Sequence, residues 1–323
     1  MAQALRPDFV PAVQQVIAKF AALELHAARA GREVMAALAE TAMHSTAQDT
    51  ATLSDEIRQA VDAILSVMPP YAPPLNVMHR ILARVESAHA AGENISALRA
   101  DLANEAATFT QWSLQAREQI AAYGAELIRD GATVFTFTLS ETALRTLKQA
   151  AHGKQFRVLV TESRPNQDGL QTARELSASG VAVSVSIDAC IGLLMPMADL
   201  MMVGAEAIMA DGSAVAKVGT YPSALLAKRF GVPVYVIVDT MKFNVSSTFG
   251  LALELDPIAH GDILSANAKV TGSLFDSTPA HLIRGVVTER GIIAPAACSA
   301  LMREMPISQY LCQKLLKGGA VNV

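Results

Sequence analysis

Up to about residue 128, apolar positions recur every third or fourth residue in segments rich in Ala, Leu, Glu, Gln and Arg, the residues that lose least on entering a helix. Ser54 precedes "DEIRQAVDAILSVM", so its hydroxyl is expected to cap a helix whose first turn presents Asp55 and Glu56 to the positive end of the dipole. The prolines of "MPPYAPP" (Pro69, Pro70, Pro73, Pro74) remove amide donors and end that helix. "LNVMHRILARVESAHAAG" then resumes the helical period and stops at Gly92, and a further helix covers about residues 95 to 128. No strand-like alternation interrupts this region, so residues 1–128 are read as an α-helical domain.

From "GATVFTFT" onward the period changes. "TVFTFT", "FRVLVTE", "VAVSVSID", "DLMMVGAE" and "VPVYVIVD" are β-branched apolar runs of strand length. Between them lie the helical segments "SETALRTLKQAAHG", "GLQTARELSASG", "ACIGLLMPM" and "PSALLAKRFG". Strands apolar on both faces, alternating with helices, predict a parallel sheet covered on both sides. Residues 129–323 are therefore expected to form a Rossmann-like, doubly wound α/β domain. No GxGxxG follows the first strand, so a dinucleotide is not implied.

Composition narrows the function. With 323 residues, 51% of them hydrophobic, the chain can bury a sizeable core. Its net charge of −4 and lack of a basic block argue against sequence-independent nucleic-acid binding. Pro196 and Asp199 interrupt the longest apolar run, so a membrane span is not expected, and no signal segment opens the chain; a cytoplasmic setting is the expectation. Cys190, Cys298 and Cys312 fit neither a disulfide framework nor a metal site and are expected to be buried. Nothing in the sequence calls for a cofactor or a metal.

Ligands of open parallel sheets bind beyond the carboxyl ends of the strands, so those ends are the candidate site. The first strand ends in Thr138-Leu139-Ser140, the second in Glu162-Ser163-Arg164-Pro165, the third in Asp188 and the fourth in Glu206. The fifth ends in Asp239, with Lys242 shortly after. Glu206 thus belongs to the rim of the sheet, facing a crevice. "AKVGTYPSALLAK" reads as an anion cradle: Gly219 permits close backbone approach, Thr220 can cap the helix, and Lys217 adds a point charge. Each feature also has a plainer reading. Any α/β protein needs helix caps, Arg164 can serve a surface ion pair, and Asp188 and Asp239 can cap the turns that follow them.

Several collinear stretches carry a resemblance. "VTESRPNQDGLQTARELSASGVAVSVSIDA", "ADLMMVGAEAIMADGSAVAKVGTYPSALLAKRFGVPVYVIVD" and "FDSTPAHLIRGVVTERGIIAP" resemble the family of translation initiation factor 2B regulatory subunits, methylthioribose-1-phosphate isomerases and ribose bisphosphate isomerases. The resemblance spans about residues 65 to 295. It implies an N-terminal helical domain, a C-terminal Rossmann-like domain and dimers built through the latter. "PPYAPPLNVMHRI" resembles a family segment that faces the ligand, which adds Asn76 to the candidates.

The family's isomerases convert an aldose 1-phosphate into a ketose phosphate with a cysteine and an aspartate, one group opening the ring and another managing protons. Here Thr138 stands at the cysteine position, Phe137 at the neighbouring histidine, and Glu206 replaces aspartate in Gly204-Ala205-Glu206. A threonine hydroxyl is far less acidic than a thiol, and a carboxylate displaced by about 1 Å can cost on the order of a hundredfold in rate. Arg164, Asp188, Lys217, Gly219, Thr220 and Ser140 are retained.

That combination resembles the alpha subunit of the exchange factor. It implies a homodimeric or larger homo-oligomeric protein that binds a small phosphorylated sugar or nucleotide, non-catalytic or weakly catalytic. A sugar-phosphate isomerase using Thr138 and Glu206 is one alternative. A subunit of a translation initiation exchange factor is the other.

Overall fold

The computed structural model describes residues 9–22, 24–25, 27–69, 71–251 and 272–318. The sequence shows no interpretable motif over 244–273 and suggests a long excursion there, and a frayed C-terminus is the expectation for "LLKGGAVNV"; residues 252–271 and 319–323 lie outside the described residues. The described chain divides into two compact units. The first comprises Met1–Leu114, Asn244–Leu253 and Leu301–Val323; the second comprises Gln115–Phe243 and Glu254–Ala300.

The first unit is helical: α1 (Pro11–Ala21), α2 (Ala27–His44), α3 (Thr50–Leu65), α4 (Ala72–Ala91) and the first part of α5 (Ile95–Glu126). Leu38, Ile57, Val61, Ile64, Met78, Ile81 and Val85 are buried, one apolar stripe per helix. α3 begins one turn earlier than its sequence suggests. The Asp49 carboxylate accepts from the Thr52 amide (2.8 Å), which leaves Ser54 buried inside the helix instead of capping it. Likewise α4 starts within the proline run. Pro73 and Pro74 sit in its first turn, where an amide would lack an intrahelical partner anyway. Gly92 closes α4 in the left-handed conformation (φ 64°), as expected.

The division differs from a single cut after residue 128, because the chain returns to the helical unit at its end. After α10 (Cys298–Arg303) comes α11 (Gln309–Gly318), whose first amides are seized by Glu86 of α4. Glu86 accepts from Ser308 Oγ (2.6 Å), the Gln309 amide (3.0 Å) and the Tyr310 amide (3.3 Å). Beside it the fully buried His79 accepts the Ser308 amide on Nδ1 (3.3 Å). A local pattern cannot show that residues 308–310 meet residues 79 and 86.

The second unit holds a seven-stranded sheet in the order β10-β9-β7-β4-β1-β2-β3. The five strands expected from the sequence are β1 (Thr133–Thr136), β2 (Arg157–Thr161), β3 (Ala182–Ser186), β4 (Leu200–Val203) and β7 (Val234–Ile237), all parallel. β9 (Gly285–Thr288) adds in parallel and β10 (Gly291–Ile293) antiparallel at one edge. Three further short strands form a separate antiparallel sheet: β5 (Ala207–Ile208), β6 (Ala214–Lys217) and β8 (Phe275–Thr278). Helices α6 (Glu141–Ala151), α7 (Asp168–Ala178), the single turn α8 (Ile191–Leu194) and α9 (Thr220–Phe230) connect the strands. Val134, Val158, Leu147, Leu176, Leu200, Met202, Ile237 and Val287 pack into one core.

β3 departs from the expectation of a strand covered on both faces. It is the sheet's outer edge, and Val185 remains 48% exposed. The cysteines also divide: Cys298 is buried, whereas Cys190 and Cys312 are partly exposed.

His79 makes the helical unit pH-sensitive. Burial pushes its pKa down from 6.5 to about 4, opposed in part by the Glu86 charge. The unfolded chain therefore binds a proton between those values that the native state refuses, so stability rises with pH across that window. Urea denaturation between pH 4.5 and 7.5 is expected to show a gain on the order of 3 kcal/mol, and His79→Asn, which keeps an acceptor near the Nδ1 position, flattens that slope. Equal pH slopes in both proteins would refute this.

Candidate functional site

Strand order reverses between β1 and β4: the chain runs β1, β2, β3 to one side and then returns to lay β4 on the other side of β1. In open parallel sheets the loops leaving two such neighbours go to opposite faces, which makes this switch point the expected ligand position. β1 continues into Phe137-Thr138-Leu139-Ser140, and β4 into Gly204-Ala205-Glu206. At the closest approach Ser140 sits over Gly204, where an added Cβ would lie 2.3 Å from Ser140 Oγ. Glycine is required there by contact alone. Ser140 also caps α6, its Oγ accepting from the Ala143 amide (3.3 Å).

Thr138 adopts the left-handed conformation (φ 63°), uncommon for a β-branched residue, and is buried. Its carbonyl accepts from Thr172 Oγ1 (2.8 Å) and its hydroxyl donates to Asp168 Oδ2 at 3.5 Å. The same Asp168 oxygen lies 3.1 Å from Lys217 Nζ, and the Lys217 ammonium also stands 5.9 Å from the centre of the Phe275 ring. At the end of β4, Lys242 Nζ donates to the Ala205 carbonyl and stands 3.8 Å from Glu206 Oε2. The Glu206 amide donates to Val215 O (2.8 Å), which ties the end of β4 to the small sheet. Glu206 is half-buried.

Lys217 closes β6, and α9 follows. Gly219 takes the position before the helix with φ 105°, and a Cβ there would meet the buried Phe137 ring at 2.5 Å. Thr220 is not the cap its sequence position suggests. Its hydroxyl donates backward to the Lys217 carbonyl (2.7 Å). The helix-terminal amides go to Asp276 of β8 instead: Gly219 N donates at 2.7 Å and Tyr221 N at 3.1 Å. Burial pushes the Asp276 carboxyl above its ordinary range against the pull of these amides.

The turn after β2 is held from the next strand. Asp188 accepts the Ser163 amide on Oδ1 (2.9 Å) and the Arg164 amide on Oδ2 (2.8 Å), so it fixes the preceding loop; the Arg164 side chain is exposed. At the end of β7, Asp239 Oδ1 is shielded from solvent without a hydrogen-bond partner among the described residues. Burial raises the Asp239 pKa, opposed by the Lys242 and Arg117 charges. Glu289 accepts the Thr240 amide (3.1 Å) and hydroxyl, and burial raises its pKa as well.

The structure thus brings Thr138, Ser140, Glu206, Lys217, Gly219 and Thr220 to the carboxyl ends of β1, β4 and β6. Asn76 belongs to the helical unit, buried in the first turns of α4. Asp168 and Asp276 escaped sequence reasoning, although both lie in the stretches "NQDG" and "FDSTP". Only the first had a local signal, as an acid opening a helix. Among the described residues no group of three or more His, Cys, Asp or Glu side chains is arranged to hold a metal ion. Hydroxyls and ammonium groups at a switch point suit a small polyhydroxylated anion, with the lysines for its charge.

Comparison with known proteins bears on the family and the fold. A protein of Pyrococcus horikoshii named as an eIF-2B subunit 2-like translation initiation factor is 32% identical over 83% of this chain and 90% of its own length. The ribose 1,5-bisphosphate isomerase of Thermococcus kodakarensis is 31% identical over 91% of this chain and 95% of its own length. The crystal structure of the Pyrococcus horikoshii translation initiation factor eIF-2B superposes with a TM-score of 0.72 at 28% identity, covering 92% of this chain and 100% of that one. The model of the initiation factor 2 subunit family matches residues 25–295, and the chain belongs to that family.

Proposed function

We propose that this protein binds a small phosphorylated sugar or nucleotide in the switch-point crevice, as an alpha-subunit-like member of the family with little or no catalysis. One observation carries the reading: the Thr138 hydroxyl hydrogen-bonds to Asp168, a carboxylate already committed to Lys217. A carboxylate is far less basic than an alkoxide, so an aliphatic alcohol that donates to one keeps its proton. The opposite carboxylate, Glu206, stands beside Lys242 and is similarly restrained. What is preserved is the means of holding a ligand: Lys217 for a phosphate, Ser140 and Thr138 for hydroxyls, and the Asp188-braced loop that carries Arg164. Gly219 and Thr220 serve this by setting the backbone around Lys217, and Asn76 is assigned to the same ligand by family resemblance.

A second reading, an aldose-1-phosphate to ketose phosphate isomerase using Thr138 and Glu206, is favoured by the likeness to ribose 1,5-bisphosphate isomerases over nearly the full chain. A third, as a subunit of a translation initiation exchange factor, is favoured by the likeness to the initiation factor from Pyrococcus horikoshii. A cytoplasmic location belongs to the first reading, since charge retains phosphorylated sugars inside cells and the three cysteines are free.

A homodimer through the sheet unit is part of the same proposal. The open edge β3 and the turn α8 expose Ile187 (56%) and Leu193 (74%) beside Val185, with Met197 also exposed. Apolar side chains exposed around an unpaired strand edge are what a second copy would cover.

Three outcomes are expected. Lys217→Ala raises the Kd for ribose 5-phosphate about tenfold or more by calorimetry, and unchanged affinity would sink the assignment of the phosphate to this lysine. Thr138→Cys combined with Glu206→Asp raises ribose 1,5-bisphosphate turnover at least about tenfold by NMR; wild-type turnover near or above about 1 per second would instead establish the isomerase reading. Leu193→Glu shifts the mass measured by light scattering from dimer to monomer, and a monomeric wild-type chain would exclude the dimer.

A further inference from the structure

The pairing of Lys217 with Asp168 has a direction. The Lys217 side chain is 10% exposed and that of Asp168 is 27% exposed, so the carboxylate is the outer member of the pair. Any anion reaching the ammonium from the crevice has to pass or replace it. One Asp168 oxygen, Oδ2, faces both Lys217 Nζ (3.1 Å) and Thr138 Oγ1 (3.5 Å). The internal carboxylate therefore occupies the two donors that a ligand oxyanion would use. Asp276 satisfies the neighbouring amides of Gly219 and Tyr221 in the same way, so no open backbone donor at the start of α9 substitutes for them.

We infer, resting on the reading of a phosphate at Lys217, that Asp168 is a built-in competitor: the ligand oxyanion binds by displacing its carboxylate from Lys217 and Thr138. The displacement is local. Asp168 is the first residue of α7, where the amide end of the helix continues to favour its charge after it leaves the lysine. The exchange swaps one oxyanion for another at the same ammonium, so the buried lysine never loses a counter-charge. A ligand without a strong anionic group gains nothing from the exchange and is rejected. Asp168 is thus a specificity-determining residue that sets a threshold on ligand charge.

The experiment is calorimetric titration of wild type, Asp168→Asn and Lys217→Ala with inorganic phosphate, ribose 5-phosphate and, as an uncharged control, ribose. Asp168→Ser is run alongside, with thermal melts confirming that each variant is folded. Removing the competing charge in Asp168→Asn and Asp168→Ser is expected to lower the Kd of both anions about tenfold or more and leave ribose unaffected. Anion binding seen only in the Asp168 variants supports the inference equally. Wild-type anion affinity that the Asp168 variants leave unchanged or weaken, while Lys217→Ala abolishes it, overturns the inference alone. No anion binding in any protein, or binding that Lys217→Ala leaves intact, overturns the phosphate assignment beneath it.

Discussion

A lysine buried to nine-tenths of its side chain cannot stand without a counter-charge, and the arrangement of the crevice follows from where that charge comes from. Lys217 ends β6 beneath the start of α9, and Asp168 opens α7 on the far side of β1. Their contact ties the small antiparallel sheet to the helix that follows β2, with Thr138 as the third member. Removing either charge would leave the other desolvated and unmatched, which costs more than an intact pair contributes. The pair is therefore a brace and, on the proposed reading, the place where an incoming anion competes.

The same logic repeats around the rim. Lys242 stands by Glu206, Asp276 caps the amides of α9, and Asp188 caps those of Ser163 and Arg164. Each contact joins the end of one strand to a loop far away in sequence. The strand ends are braced in this way, with Lys217 and Thr138 both engaged by Asp168. On the proposed reading, a ligand displaces the Asp168 carboxylate and does not find open donors. On the same reading this bracing offers little to covalent chemistry, because the groups best placed to move a proton are engaged with one another.

In the helical unit the equivalent role falls to Glu86 and His79. A single carboxylate takes three donors at the start of α11, and the neutral imidazole takes a fourth. α11 is thereby fastened to α4. Burial of His79 without charge is compatible with this role only while the ring stays deprotonated, so the fastening depends on pH.

Much of this architecture was legible from residue order. The 3.6-residue period announced the helices, the β-branched runs announced β1, β2, β3, β4 and β7, and the collinear motifs identified the family. Strand-end reading also reached Thr138, Ser140, Glu206 and Lys217, because periodicity tells where a strand stops and parallel sheets place ligands there. What escaped was every feature that depends on a distant partner. β8 and β9 are short segments that acquire strand geometry from neighbours already in place. Thr220 looked like a cap until Asp276, some 55 residues later, took the amides. Asp168 carried no local mark beyond an acid at a helix start, yet tertiary packing set it on the ammonium that sequence alone offered to a phosphate. Local propensity and period act through adjacent residues and can be read one segment at a time; the pairing of buried charges and the choice of caps are settled only when segments remote in sequence share one low-dielectric space.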